Sequence, residues 1–113
     1  MKGYKTNIQE LLDHKDFQTL LFSGLHLQLH LFVLQIGESS TMSTAQQTDL
    51  AYIIESGIGR IQVGSILYEV NAGDLVMIPA GVQHKIMNVD DAHHLRFFSI
   101  NTVSQLETIV KMG

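Results

Sequence analysis

The sequence predicts an all-β fold, an antiparallel barrel or two-sheet sandwich with helix confined to its ends, on three observations. Leu25-His26-Leu27-Gln28-Leu29-His30-Leu31 alternates with period two, which places leucines on one face of a strand and polar side chains on the other. Short apolar runs recur from Leu20 to Ile100 at regular spacing, each closed by a Gly-, Ser- or Asp-containing break. Two of these runs are joined by Gly64-Ser65 alone, a two-residue connection with glycine at its first central position, as a β-hairpin requires. The 113 residues are expected to form one domain, 1–113, with a barrel core over about 23–100.

In chain order, Asn7-Ile8-Gln9-Glu10 has capping-box form, and Ile8, Leu11 and Leu12 give a short amphipathic helix over about 7–13. Leu20-Leu21-Phe22 opens the β pattern, and Ser23-Gly24 interrupts it. Beyond Leu31 both faces become apolar, so the strand is expected to run inside a sandwich or barrel. Gly37 to Thr48 is rich in Ser, Thr and Gln and reads as loop or edge. Strands are expected at Leu50–Ile54, Gly59–Val63, Ile66–Val70, Leu75–Ile78, His84–Val89 and Leu95–Ile100. A second capping box, Ser104-Gln105-Leu106-Glu107, opens a terminal helical segment over about 104–112, with Leu106, Ile109 and Val110 on one face.

Composition excludes several classes of function. A formal net charge of −4 with seven basic residues leaves no nucleic-acid footprint, and no Lys/Arg cluster suggests an anionic membrane surface. The absence of cysteine removes disulfide frameworks, thiolate metal sites and cysteine nucleophiles, and it agrees with a cytoplasmic location. Met1-Lys2-Gly3-Tyr4-Lys5 is not followed by the apolar stretch of a secretory signal, and Leu25 to Ile36 is too short to span a bilayer. Neither a dinucleotide fingerprint nor a phosphate-binding loop, Gly-x-Ser-x-Gly or His-Glu-x2-His is present.

The most specific stretch is Gly73-Asp74-Leu75-Val76-Met77-Ile78-Pro79-Ala80-Gly81-Val82-Gln83-His84-Lys85-Ile86-Met87-Asn88. It reads as turn, buried strand, rigid Pro-x-Gly corner and second strand. It resembles the second signature motif of the cupin superfamily, Gly-Asp-x4-Pro-x-Gly-x2-His-x3-Asn, at every defining position. The resemblance covers roughly Ser23 to Ile100 and implies a cupin-type barrel or double-sheet jelly roll. It also implies a homodimer, an expectation joined by the unusually apolar Leu20 to Leu34 segment.

In that family His84 would be one of three or four metal ligands, with the others supplied by an upstream motif running from Gly37 to Gly57. The two histidine positions of that motif are Ser43 and Ala45. Its glutamate position is Leu50, or Asp49 on the alternative spacing. A metal site needs three or four converging N, O or S donors, so a chain with His84 and at most Asp49 is expected to hold no metal tightly and to use no cofactor. His26 and His30 do not rebuild a site, because four strand residues separate their Cα atoms by about 13 Å. His93 and His94 point to opposite faces of any strand, and His14 is expected at the surface. Met42, Met77 and Met87 are expected to fill core or line a pocket. Gln28 and His30 share the polar face of their strand, facing either a cavity, solvent or a partner subunit.

These readings make His84 an inward hydrogen-bonding anchor in a pocket with Ser43, Ala45, Leu50 and Asp49. The leading expectation is binding of a small organic ligand in the barrel interior. Two alternatives stand beside it. One is a metal-dependent dioxygenase or isomerase of the kind common in the superfamily. The other is a metal-free epimerase-like enzyme in which Asp49 orients His84 as general base.

Overall fold

The computed structural model describes residues 2–103. The helix expected over 104–112 lies outside them. Among the described residues are nine strands: β1 (Gln18–Ser23), β2 (Leu27–Leu34), β3 (Ser43–Thr44), β4 (Leu50–Ser56), β5 (Ile58–Val63), β6 (Ile66–Asn71), β7 (Leu75–Ile78), β8 (Gln83–Asn88) and β9 (Leu95–Thr102). They form two antiparallel sheets, ordered β1-β2-β9-β4-β7 and β3-β8-β5-β6, in the cupin jelly-roll arrangement. Among the described residues, helix is confined to the N-terminal end. It is a single 3-10 turn at Ile8–Leu11, shorter than the segment expected, with the Asn7 side chain accepting from the Gln9 amide at 2.8 Å.

Alternation sorts each strand into an inward and an outward set. Leu34, Ile54, Ile61, Val70, Val76, Ile78, Ile86, Leu95 and Phe97 bury between the two sheets, joined by Tyr52. Each large apolar side chain so buried contributes about 1.5–3 kcal/mol over leaving it exposed. Leu31, Val33 and Phe98 face the other way and form a second cluster with Leu11, against which Leu21, Leu29 and Ile53 pack. The leucines of β2 therefore cover the outer face of the first sheet. Its polar partners Gln28 and His30 share the inward face with Phe32 and Leu34.

The expectations about burial hold only in part. Met42 is exposed in the loop before β3, while Met77, 66% exposed because Val76 and Ile78 take the inward positions of β7, lines a hollow with Asp49, Leu50 and Pro79. His14 is only partly exposed: its carbonyl accepts from Arg96 Nη1 at 2.8 Å, and its Nδ1 is buried without a hydrogen-bond partner. No helix among the described residues is long and apolar enough to cross a membrane.

Candidate functional site at the barrel mouth

Among the described residues, burial between the sheets increases from one end of the barrel to the other. On β2 the inward positions pass from partly exposed Gln28, His30 and Phe32 to fully buried Leu34. On β9 they pass from Asn101 through Ser99 and Phe97 to Leu95, and on β4 from Leu50 through Tyr52 to Ile54, with burial increasing in the same direction. Register places these gradients side by side, since Gln28 pairs with Asn101 and Asn101 with Leu50, while His30 pairs with Ser99 and Ser99 with Tyr52. The mouth therefore lies at the Gln28–Asn101–Leu50 row, and a second row of polar groups sits one step deeper.

His84 stands on the opposite sheet, placed by the corner before it. Gly81 adopts φ +83°, the left-handed conformation required at the third position of a Pro79–Val82 turn, and the Val82 amide donates back to the Pro79 carbonyl at 3.3 Å. The Gly81 amide donates to the Ala45 carbonyl at 2.8 Å, and the Ala80 amide donates to Asp49 Oδ1 at 2.9 Å. Two of the expected site residues thus grip the corner. Ala45 does so through its backbone and Asp49 through its carboxylate.

The His84 side chain is 5% exposed, and both ring nitrogens are engaged. Nδ1 lies 3.2 Å from the Val82 carbonyl, and Nε2 lies 3.2 Å from Ser43 Oγ. A carbonyl can only accept, so Nδ1 carries the proton. In the neutral ring Nε2 is then an acceptor, and the Ser43 hydroxyl donates to it. Ser43 and His84 are direct cross-strand partners on β3 and β8. Leu50 packs on the inner cluster beside Tyr52. Of the five expected residues, Ser43 and His84 meet, Leu50 lines the same interior, and Ala45 and Asp49 support the corner. No hydrogen bond joins Asp49 to His84 among the described residues, so the general-base pair is not assembled.

The donor set does not fit a tightly held metal ion. Ser43, itself one of the expected ligand positions, holds His84 Nε2 by a hydrogen bond, and among the described residues no three His, Asp or Glu side chains converge on a point.

Sequence reasoning missed the aromatic groups beside His84. Tyr52 meets the His84 ring edge-on, with centroids 6.2 Å apart, and packs on Phe97 at 5.0 Å. Phe97 stacks on Phe32 at 5.1 Å with planes only 6° apart, and Phe32 contacts His30 at 5.9 Å. A continuous arc of rings therefore joins the two inward histidines. Burial pushes the Tyr52 phenol up to about 12, so it remains a neutral hydrogen-bond donor. Burial also holds the His30 imidazole below its ordinary value, opposed by a smaller effect from a hydrogen bond with the Asn101 side chain. Asn101 completes the polar rim, where its Nδ2 donates to Gln28 Oε1 at 3.3 Å, and Ser99 lies buried one step deeper. The signal that could have found Tyr52 was its shared parity with Leu50, two residues earlier on the same strand.

The last residue of the second motif serves the buried end. Asn88 Nδ2 donates to the Leu34 and His93 carbonyls at 3.1 and 3.0 Å, and its Oδ1 accepts from the Asp90 amide at 2.9 Å. Asp90 in turn accepts from the Ala92 amide at 2.9 Å, the main cause of a carboxyl held below its usual range. The exposed His93 ring lies 3.3 Å from the same carboxylate.

Comparison with known proteins agrees with this fold. The chain is 30% identical over 106 residues to the uncharacterized protein YrkC of Bacillus subtilis (strain 168), covering 88% of this chain but only 56% of that relative's length. The crystal structure of BH2720 from Bacillus halodurans superposes with a TM-score of 0.85 at 28% identity, over 92% of this chain and 83% of that one. A cupin 2 conserved barrel domain protein from Rhodopseudomonas palustris superposes with a TM-score of 0.68 at 27% identity, over 77% and 60%. With residues 30–101 matching the family described as Cupin domain, and with the jelly roll and its motif corner in place, the chain belongs to the cupin family.

Proposed function

We propose that the barrel mouth binds a small organic ligand and that this binding does not depend on a tightly held metal. The observation that carries the reading is the Ser43 hydroxyl on His84 Nε2, the atom a metal would need. Around that pair lies what a small-molecule site requires: apolar walls from Phe32, Leu50 and Phe97, with a few polar groups at fixed positions. The reading ranks above a metal-dependent enzyme on donor count. It also ranks above a metal-free acid/base enzyme, since Asp49 is committed to the Ala80 amide and leaves His84 without a carboxylate partner.

The test is thermal denaturation of the purified protein against a panel of small organic compounds and, separately, divalent transition metals. The expected result is a rise in Tm with at least one organic compound, lost in Tyr52→Phe or His84→Ala. Stoichiometric Fe, Mn, Ni or Zn in the purified protein, with stabilisation by that metal alone, would overturn the reading.

A further inference from the structure

We infer that the ligand of this mouth is an uncharged aromatic ring bearing a hydroxyl group, a phenol in the broad sense. The inference rests on the reading that the mouth binds a small organic molecule, and it follows from what the inward positions lack as much as from what they carry.

From the rim to the buried layer, the inward strand positions hold no Asp, Glu, Lys or Arg. Arg60, Glu69, Lys85 and Arg96 all alternate with inward neighbours and therefore point outward, with Arg60 and Glu69 paired to each other at 2.6 Å. Glu55 lies at the β4 irregularity beyond Ile54, at the buried end. The carboxylate nearest the rim, Asp49, already accepts the Ala80 amide. A carboxylate or phosphate entering this space would shed water without meeting a fixed counter-charge, which is costly in a low-dielectric site. It would need a histidine to take up a proton, and burial opposes that at His30. A cation fares no better. Among the described residues no acidic side chain on the strands faces inward, and the faces of Phe32 and Phe97 are spent on each other at an interplanar angle of 6°.

What remains suits a flat neutral molecule. Of the arc His30–Phe32–Phe97–Tyr52–His84, His30 and Phe32 are partly exposed toward the rim, where another ring would pack by offset or edge-on contact, with Phe97, Tyr52 and His84 buried behind them. The hydrogen-bonding groups on these walls are all neutral: the Tyr52 and Ser99 hydroxyls, the Ser43 hydroxyl that already donates to His84, and the Asn101 amide that already donates to Gln28. They match a ligand hydroxyl that donates and accepts.

Four probes of similar size separate the possibilities on the full chain: 4-methylphenol, 4-hydroxybenzoate, tyramine and 4-methylcyclohexanol. Each is titrated by NMR, following Ile78, Ile86 and Tyr52 as interior reporters. The expected result is that 4-methylphenol moves these resonances and binds at least about tenfold more tightly than the other three. Phe32→Leu should weaken it by about three- to tenfold. Equal or tighter interior binding of the anion, the cation or the saturated ring would overturn the ligand class and leave interior binding standing. If no probe moves an interior resonance, both the class and the reading beneath it fall.

Discussion

Replacing Ser43 and His84 with alanine, singly and together, isolates the hydrogen bond on which the account of the site turns. Ser43 is exposed, so water partly replaces its hydroxyl, but Ser43→Ala leaves the Nε2 of a buried ring without its partner at 3.2 Å. That loss is about 1 kcal/mol. His84→Ala removes two hydrogen bonds, to Ser43 and to Val82, at about 1 kcal/mol each, and the edge-on contact with Tyr52 at about 0.5–1.5 kcal/mol. The single variant should therefore lose about 2.5–3.5 kcal/mol and still fold, since domains of this size hold about 5–15 kcal/mol. The shared bond is counted in both singles and only once in the double, so the cycle should show a coupling of about 1 kcal/mol. The chain has no tryptophan, so urea unfolding is best followed by circular dichroism, with an unchanged m value as the check that only stability moved. A coupling within the roughly 0.3–0.5 kcal/mol scatter of independent sites would refute the contact.

Three further outcomes are expected. In an alkaline titration, one of the three tyrosines should ionise near 12, and Tyr52→Phe should delete that step. Because folding raises this acid above its ordinary 10.0, its contribution to stability is fully present below pH 10 and is lost as pH climbs toward 12, so Tyr52→Phe should flatten that decline. Gly57→Ala should cost about 2–4 kcal/mol in urea unfolding, because Gly57 sits at φ +95° and a Cβ there would lie 2.5 Å from the His94 carbonyl oxygen. Sedimentation should give a homodimer, with Leu29→Glu shifting it to monomer. The reason is that Tyr4, Phe22, Leu27, Leu29 and Ile100 surround an open apolar hollow of about 220 Å³ on the outer sheet face; a monomeric parent protein at micromolar concentration would contradict this.

The strands and the corner were legible because their signals are local. Period-two alternation marks β2, Gly64-Ser65 marks the β5–β6 hairpin, and Pro79-x-Gly81 fixes the turn ahead of His84. The loss of metal donors was legible for the same reason, since it follows from residue types at fixed spacings. What the sequence concealed depends on register between distant strands. Leucine alternation in β2 invites placing the leucines inside, yet they cover the outer face, because Phe32 and Leu34 share parity with Gln28 and His30. Tyr52 reaches His84 only because β4 and β8 lie in facing sheets, and nothing local to either strand says so. Asp49 read as an alternative ligand position or as the carboxylate orienting His84, and only the folded corner reveals its bond to Ala80. β3 was hidden in a polar stretch because Ser43 and Thr44 carry no apolar alternation.

The most direct test of the central claim is a crystal structure of the purified protein, with anomalous data collected across the transition-metal absorption edges. The account predicts the Ser43 hydroxyl on His84 Nε2, no anomalous peak beside it, and any trapped molecule lying against Tyr52 and Phe97 between the two sheets. An anomalous peak about 2.0–2.2 Å from His84 Nε2, shared with two or more other side chains, would contradict it.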